Sequence, residues 1–260
     1  MPSTIRLRRM RRDDHPALIE ILRRTWYADP ELGEERSHRL AEADFEYCLA
    51  RSTEAFVAVE IPADDTDDAG ADGFTGADDR AGSVGTVAPA GRPVGVILGR
   101  VEPSRLGKER RRRFRLTRLN RHHLRSAFVS MPLLASKAGR RALRVELAIA
   151  RVDARLLRDA GRSYAAEVTL FLVGPCMRGR GVGGRLFARM MRSFRACGVR
   201  DYFLYTDTSC DVGFYDRRGL TRVAARTLDY TSRCDRVGDD GASDHTDTYY
   251  LYQGHPEPVR

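Results

Sequence analysis

Apolar positions along the chain change period several times, and each change marks an element. Thr4–Arg9 alternates polar and apolar residues and predicts a short strand. Asp13 or Asp14 then offers a helix N-cap, with Pro16 in the first turn. Leu18, Ile19, Leu22 and Trp26 fall on one face of a helix ending near Tyr27. A second helix is expected over Ser37–Leu49, carried by Leu40, Phe45 and Leu49. Phe56–Ile61 and Pro93–Val101 are rich in β-branched residues and predict the two strands of a hairpin. Between them, 62–92 is Ala, Gly, Asp and Thr with isolated hydrophobes, too little apolar surface to offset its ordering entropy, and predicts a disordered acidic loop.

The second half has a different rhythm. Residues 102–164 predict a basic helical insertion, with an apolar patch at Phe128–Leu134 and a long helix over Ala142–Asp159. Two stripes keep helical spacing there: Leu143, Leu147, Ala150, Ala154 and Leu157, and beside them Val145, Ile149, Val152 and Leu156. So broad an apolar face needs a surface to cover it. Ala165–Val173 reads as the most buried strand. A glycine-rich turn follows, then a helix near Gly183–Gly198, a strand at Tyr202–Thr206 and a short helix with Phe214 and Tyr215 that stops at Gly219. Strands at Leu220–Leu228 and Thr248–Tyr252 close the order. The expectation is one α/β domain over 1–260 with a mixed sheet, and a cofactor-binding core at 165–222.

Charge changes the picture in one place only. The net charge is +9, and Arg105–Arg125 accounts for all of it, with ten Lys or Arg against the single acid Glu109. The rest of the chain is neutral. That segment is a possible contact for nucleic acid or acidic substrates, but Phe114 is its one stacking aromatic, so nucleic acid is not favoured. Five scattered cysteines with no CxxC pair argue against a structural zinc, and no metal is expected. No run of 18 apolar residues predicts a membrane span, and the basic Met1–Arg12 is followed by Asp13, Asp14 and His15 rather than an apolar stretch. A cytoplasmic protein, monomeric or homodimeric, is the expectation.

The chemistry concentrates at Arg178-Gly-Arg-Gly-Val-Gly-Gly184, between a strand end and a helix start. Backbone N–H groups there lack carbonyl partners, the helix dipole adds positive potential, and glycines admit a phosphate close to the chain. Gly179-x-Gly181-x-x-Gly184, with Asp207 downstream, fits a dinucleotide fingerprint. However, the residues after Asp207 read as a short helix and a hairpin, not as further βαβ units. Read from Arg178, and preceded by Val173 and Pro175, the segment resembles the cofactor motif of the GNAT superfamily of acetyl-CoA-dependent N-acetyltransferases. Phe214-Tyr-Asp-Arg-Arg-Gly-Leu220 is similar to that family's second motif.

The resemblance implies transfer of the acetyl group of acetyl-CoA to a primary amine by direct attack in a ternary complex. The amides of Arg178, Gly179, Arg180, Gly181, Val182, Gly183 and Gly184 would grip the pyrophosphate, and the backbone of Leu172 and Val173 would hold the pantetheine arm. Tyr215 would be the general acid and Glu167 the general base. Relatives often carry an Asn ahead of the short helix; here Thr208 would donate the same hydrogen bond or cap the helix. The acceptor would be a small amine, a peptide or a protein. The rival expectation is a non-catalytic CoA-binding or nucleic-acid-associated regulator that uses the basic segment.

Overall fold

The computed structural model describes residues 3–62, 91–106, 121–229 and 246–256. The body of the expected acidic loop and the centre of the basic run lie outside these residues. The seven strands are β1 (Ser3–Arg9), β2 (Glu54–Pro62), β3 (Arg92–Val101), β4 (Ala166–Val173), β5 (Tyr202–Asp207), β6 (Thr221–Asp229) and β7 (Thr246–Gly254). They form one sheet in the order β1-β2-β3-β4-β5-β7-β6. Every pairing is antiparallel except β4 with β5. A sheet with one parallel pair is not the doubly wound parallel sheet that dinucleotide binding requires, so the rival reading of the glycine loop fails on topology.

Helices cover both faces. α1 (His15–Trp26) and α2 (Glu34–Arg51) bury Leu18, Ile19, Leu22, Ala41 and Phe45 against Val57, Val96, Leu170 and Leu172. On the opposite face lies α5 (Val182–Ala196), whose Leu186, Met190 and Phe194 pack over Phe56, Ile97, Val168 and Tyr202. α6 (Gly213–Asp216) adds Tyr215 to that second core.

The insertion places its helices on the α1/α2 side. α3 (Arg121–Ser130) runs along α2, with the Ser126 hydroxyl donating to Ala43 O at 2.7 Å and Arg125 paired with Glu42. α4 (Lys137–Asp159) starts at Ser136, whose side chain accepts from Gly139 N–H, and lays Val152 and Leu156 on Phe203, Tyr249 and Leu251. Of the two stripes anticipated on α4, one is buried along its length and the other packs only at its ends, through Leu143 and Leu157. Ala148, Val152 and Leu156 are buried, whereas Leu147 is 57% exposed and Ala150 and Ala154 face outward. The helix rests on β5–β7 along one narrow line, which a stripe-based reading of the sequence overestimates.

One irregularity shapes everything near the sheet centre. Leu98 pairs with Leu170 but Gly99 with Val168, so Thr169 is an extra residue, a β-bulge. The bulge reverses the alternation of β4: Leu170 and Leu172 face α1 and α2, whereas Ala166 and Val168 face α5. It is tied down from α2, where Ser52 Oγ lies 2.7 Å from Thr169 Oγ1. Opposite it, α5 comes close to β3. A Cβ on Gly99 would lie 2.8 Å from Met190 Sδ and 3.0 Å from Phe194 Cζ. Replacing Gly99 by Val is therefore expected to lower unfolding free energy by about 2 kcal/mol, as overpacking does, with chemical denaturation as the measurement.

Candidate functional site

At the bulge the sheet opens. β4 pairs with β5 only over Ala166–Val168 and Tyr202–Leu204; beyond these the two parallel strands part. The open edge of β4, Thr169–Val173, spans about 16 Å at ordinary strand rise. Gly174 N–H donates to Val94 O at 2.9 Å, and alternation along the strand therefore points the backbone groups of Leu172 toward β3. Those of Phe171 and Val173 point into the seam. Of the two residues expected to hold an extended arm by their backbone, Val173 is aimed at the opening and Leu172 is engaged in the ladder.

The glycine loop lies at the head of this seam. Gly179 and Gly181 have φ of +76° and +72°, left-handed values that a side chain would resist, and a Cβ on either would meet nothing within 4 Å. Here glycine is needed for conformation, not for space. The first bond of α5 runs from Arg185 N–H to Gly181 O at 3.1 Å. The amides of Val182, Gly183 and Gly184 precede it and carry no backbone partner among the described residues, at the positive end of a 15-residue helix. Gly183 is pressed against Phe171 and Phe214, and a Cβ on Gly184 would come within 3.0 Å of Arg218 Nη2. Arg218 itself stacks on Phe214, with Cζ 3.5 Å from the ring centroid, and burial lowers its pKa. A half-buried guanidinium beside these helix amides favours an anion. Sequence reasoning missed Arg218, although it lies inside the second motif.

The loop arginines differ. Arg178 is exposed beside the loop. Arg180 turns away to β1 and β2, with Nη2 3.2 Å from Ser3 Oγ and Nη1 3.4 Å from Glu60 Oε1, so its side chain anchors the loop. Thr208 Oγ1 donates to Asp247 Oδ1 at 2.9 Å and accepts from Thr248 N–H, which joins the end of β5 to β7. The start of α6 is capped by Asp211 instead, whose Oδ1 accepts from Phe214 N–H at 3.1 Å.

Tyr215 is 8% exposed, its ring 5.5 Å from that of Tyr252 and 6.4 Å from that of Phe187. Burial pushes its hydroxyl pKa well up, with Cys210, Tyr202 and Asp211 adding and Thr206 opposing. The proton is therefore held at neutral pH, as a donor requires. Thr206 Oγ1 is buried near it and makes no hydrogen bond of ordinary length among the described residues.

On the other face of the seam sits a group of charges. Glu167 is 2% exposed and lies between two guanidiniums: Arg51 Nη2 reaches both its oxygens, at 2.8 and 3.0 Å, and Arg100 Nη2 approaches Oε2 at 2.8 Å. Asp153 of α4 faces the same region, and its Oδ1 is buried without a hydrogen-bond partner among the described residues. Its pKa is raised to about 7, first by burial, then by Glu167 and Asp207, against the pull of Arg51. Asp153 was not anticipated. The signal was present, as a carboxylate between Val152 and Leu156 on the buried line of a helix.

No family model matches the sequence, and no curated protein does. Solved structures do match over nearly the whole chain. The structure of SsHAT is 17% identical, with 98% of this chain and 100% of that one covered and a TM-score of 0.50. A mosquito arylalkylamine N-acetyltransferase-like protein 5b is 16% identical over 97% of this chain and 100% of its own, at 0.47. A GNAT-family protein of Desulfovibrio desulfuricans is 12% identical over 98% and 100%, at 0.44. No helix among the described residues is long and apolar enough to cross a membrane. With a bulged β4, a β4–β5 seam and a glycine loop at the head of α5, the chain shares over nearly its whole length the fold of the SsHAT structure, the GNAT-type mixed sheet expected from the sequence.

Proposed function

We propose that the protein is an N-acetyltransferase that moves the acetyl group of acetyl-CoA to an amine. The observation that carries this reading is the opening of β4 from β5 directly below the unpaired amides of Val182–Gly184. A diphosphate fits the loop, where the N–H groups of Gly179 and Gly181–Gly184 have no backbone partner among the described residues and Arg218 adds a cation, whereas the N–H groups of Arg178 and Arg180, also expected to grip it, donate to Pro175 O and Met177 O instead. An extended amide-bearing arm fits the seam, where Phe171 and Val173 offer free backbone groups as a missing strand would. Acetyl-CoA bound in this way supplies an activated thioester carbonyl.

The residues of the chain then divide the remaining work. The backbone of Phe171 and Val173 orients the arm and so turns a bimolecular encounter into a positioned one. Tyr215, neutral in its buried setting, is the acid that protonates the departing sulfur. Arg178 borders the loop and lends charge to the cofactor's phosphates, and Arg180 holds the loop against β1 and β2. Thr208 fixes the end of β5 through β7. Glu167, the base expected from the resemblance, is buried with both oxygens held by Arg51 and Oε2 also by Arg100. We therefore assign it the positioning of those two guanidiniums beneath the seam.

These roles separate experimentally in a free-thiol assay against a panel of amines. Tyr215→Phe is expected to lower kcat by about 10²–10³-fold while leaving coenzyme A affinity in calorimetry unchanged; an unchanged kcat removes the acid role. Glu167→Ala is expected to cost about 2 kcal/mol of stability, below the 3–5 typical of a broken buried pair because both arginines still reach water. Denaturant unfolding measures it, and a neutral result removes the positioning role. Absence of both coenzyme A binding and thiol release in the wild-type protein contradicts the function itself.

A further inference from the structure

We infer that Asp153, carried to the seam by the helical insertion, is the group that receives the acceptor's ammonium and takes its proton. The inference rests on the acetyltransferase reading and adds the base which that reading lacks.

The argument begins with access. The α5 side of the seam is filled by Leu186, Phe187, Phe214 and Tyr215, and the anion cradle stands at its head. An acceptor therefore reaches the carbonyl from the opposite side, beneath α2 and α4. There α3 runs along α2, and α4 rests on β5–β7 through Val152 and Leu156, so the insertion roofs the space between them. Asp153 lies under this roof, on the residue following Val152.

The second part is chemical. A primary ammonium has a pKa near roughly 10.4 and is no nucleophile until it loses a proton. The groups facing Asp153 are Glu167 from β4, Asp207 and Tyr205 from β5, Arg51 from α2 and Glu146 on its own helix. Arg51 is already committed to Glu167. The carboxylate oxygen Oδ1 is left buried and unpartnered, a condition that costs free energy when ionised. An ammonium offers three donors and relieves that cost, so the empty acceptor position at Oδ1 selects a cationic amine. Once the pair forms, proton transfer to Oδ1 leaves a neutral carboxylic acid and a neutral amine, both suited to a desolvated space.

The step balances. The first ammonium proton passes to Asp153 and later to solvent. The nitrogen lone pair forms the C–N bond as the C–S bond breaks, and its electron pair leaves on sulfur. Tyr215 protonates that sulfur and is restored by the second proton of the attacking nitrogen. The net products are an amide, a thiol and one released proton.

The ionisation also has a signature in stability. The folded-state pKa of Asp153 is raised to about 7, above its unfolded value near 3.8. The folded protein therefore binds a proton that the unfolded chain does not, and stability falls as pH rises between those values. Asp153→Asn removes this cost, and its thermal midpoint at pH 8 should exceed that of the wild type. A decrease would show that the carboxylate is satisfied by partners in the native state and would overturn the inference.

The kinetic test uses the full chain with the best amine from the panel. Wild-type kcat/KM should rise with pH through an inflection near 7. Asp153→Asn and the smaller Asp153→Ser should both lose about 10²–10³-fold at pH 7. Both should also lose the inflection, the deficit narrowing toward pH 9.5, where free amine is abundant, with coenzyme A affinity unchanged throughout. Variants that keep the wild-type rate and profile, or a loss confined to acceptor KM with the inflection retained, overturn the assignment. A wild-type protein that binds no coenzyme A and releases no thiol overturns the function on which it rests, a distinguishable failure.

Discussion

A single extra residue, Thr169, governs the site. In a regular strand the β4–β5 ladder would run on past Val168, and every backbone group of Thr169–Val173 would be consumed. The bulge reverses the pleat, turns Leu170 and Leu172 toward α1 and α2, and lets β5 follow β7 away from β4. Two strand edges are thereby left facing each other in the middle of a sheet without a ladder between them among the described residues. Unpaired backbone is costly when buried. The seam thus presents an open strand edge, and α5 begins immediately above it with amides that have no backbone partner among the described residues.

Electrostatics distinguishes the two sides of the seam. On the α5 side, helix amides and Arg218 create positive potential around an aromatic wall of Phe171, Phe187 and Phe214. On the α2/α4 side stand buried carboxyl groups: Glu167 is neutralised by Arg51 and Arg100, whereas Asp153 and Glu146 have pKa values raised first by burial, then by Glu167 at Asp153 and by Asp44 at Glu146. In the proposed reaction this division would serve an anionic cofactor and a cationic acceptor. It keeps the two reactants on their own sides until they meet at the seam. The insertion contributes half of it, since α4 carries both Asp153 and Glu146 while α3 ties the cover to α2.

Much of this was legible in the chain itself. Strand–glycine-loop–helix order, the short helix with Phe214 and Tyr215, and the element sequence all follow from periodicity and turn chemistry, because each is a local property. The bulge was not legible. Ala165–Val173 reads as an unbroken, mostly apolar strand, and which face each residue takes depends on its partner β3, not on its own pattern. The same limit explains Glu167. Spacing places it on a central strand, but Arg51 and Arg100 arrive from α2 and β3, far away in sequence. On α4 two apolar stripes competed, and only the surface of β5–β7 decides that Val152 and Leu156 go inward while Leu147 does not. Arg180, by contrast, sits where the motif puts it, yet its side chain is drawn off by Ser3 and Glu60 from the other end of the sheet.

The most direct test of the account is amide hydrogen exchange, residue by residue, with and without saturating coenzyme A. Binding in the seam predicts strong slowing at Gly181, Val182, Gly183 and Gly184 and at the seam-facing amides of Phe171 and Val173, with Leu172 changed little because β3 already protects it. Uniform exchange on addition of coenzyme A, or slowing confined to another surface, would contradict the claim that these unpaired amides form the cofactor cradle.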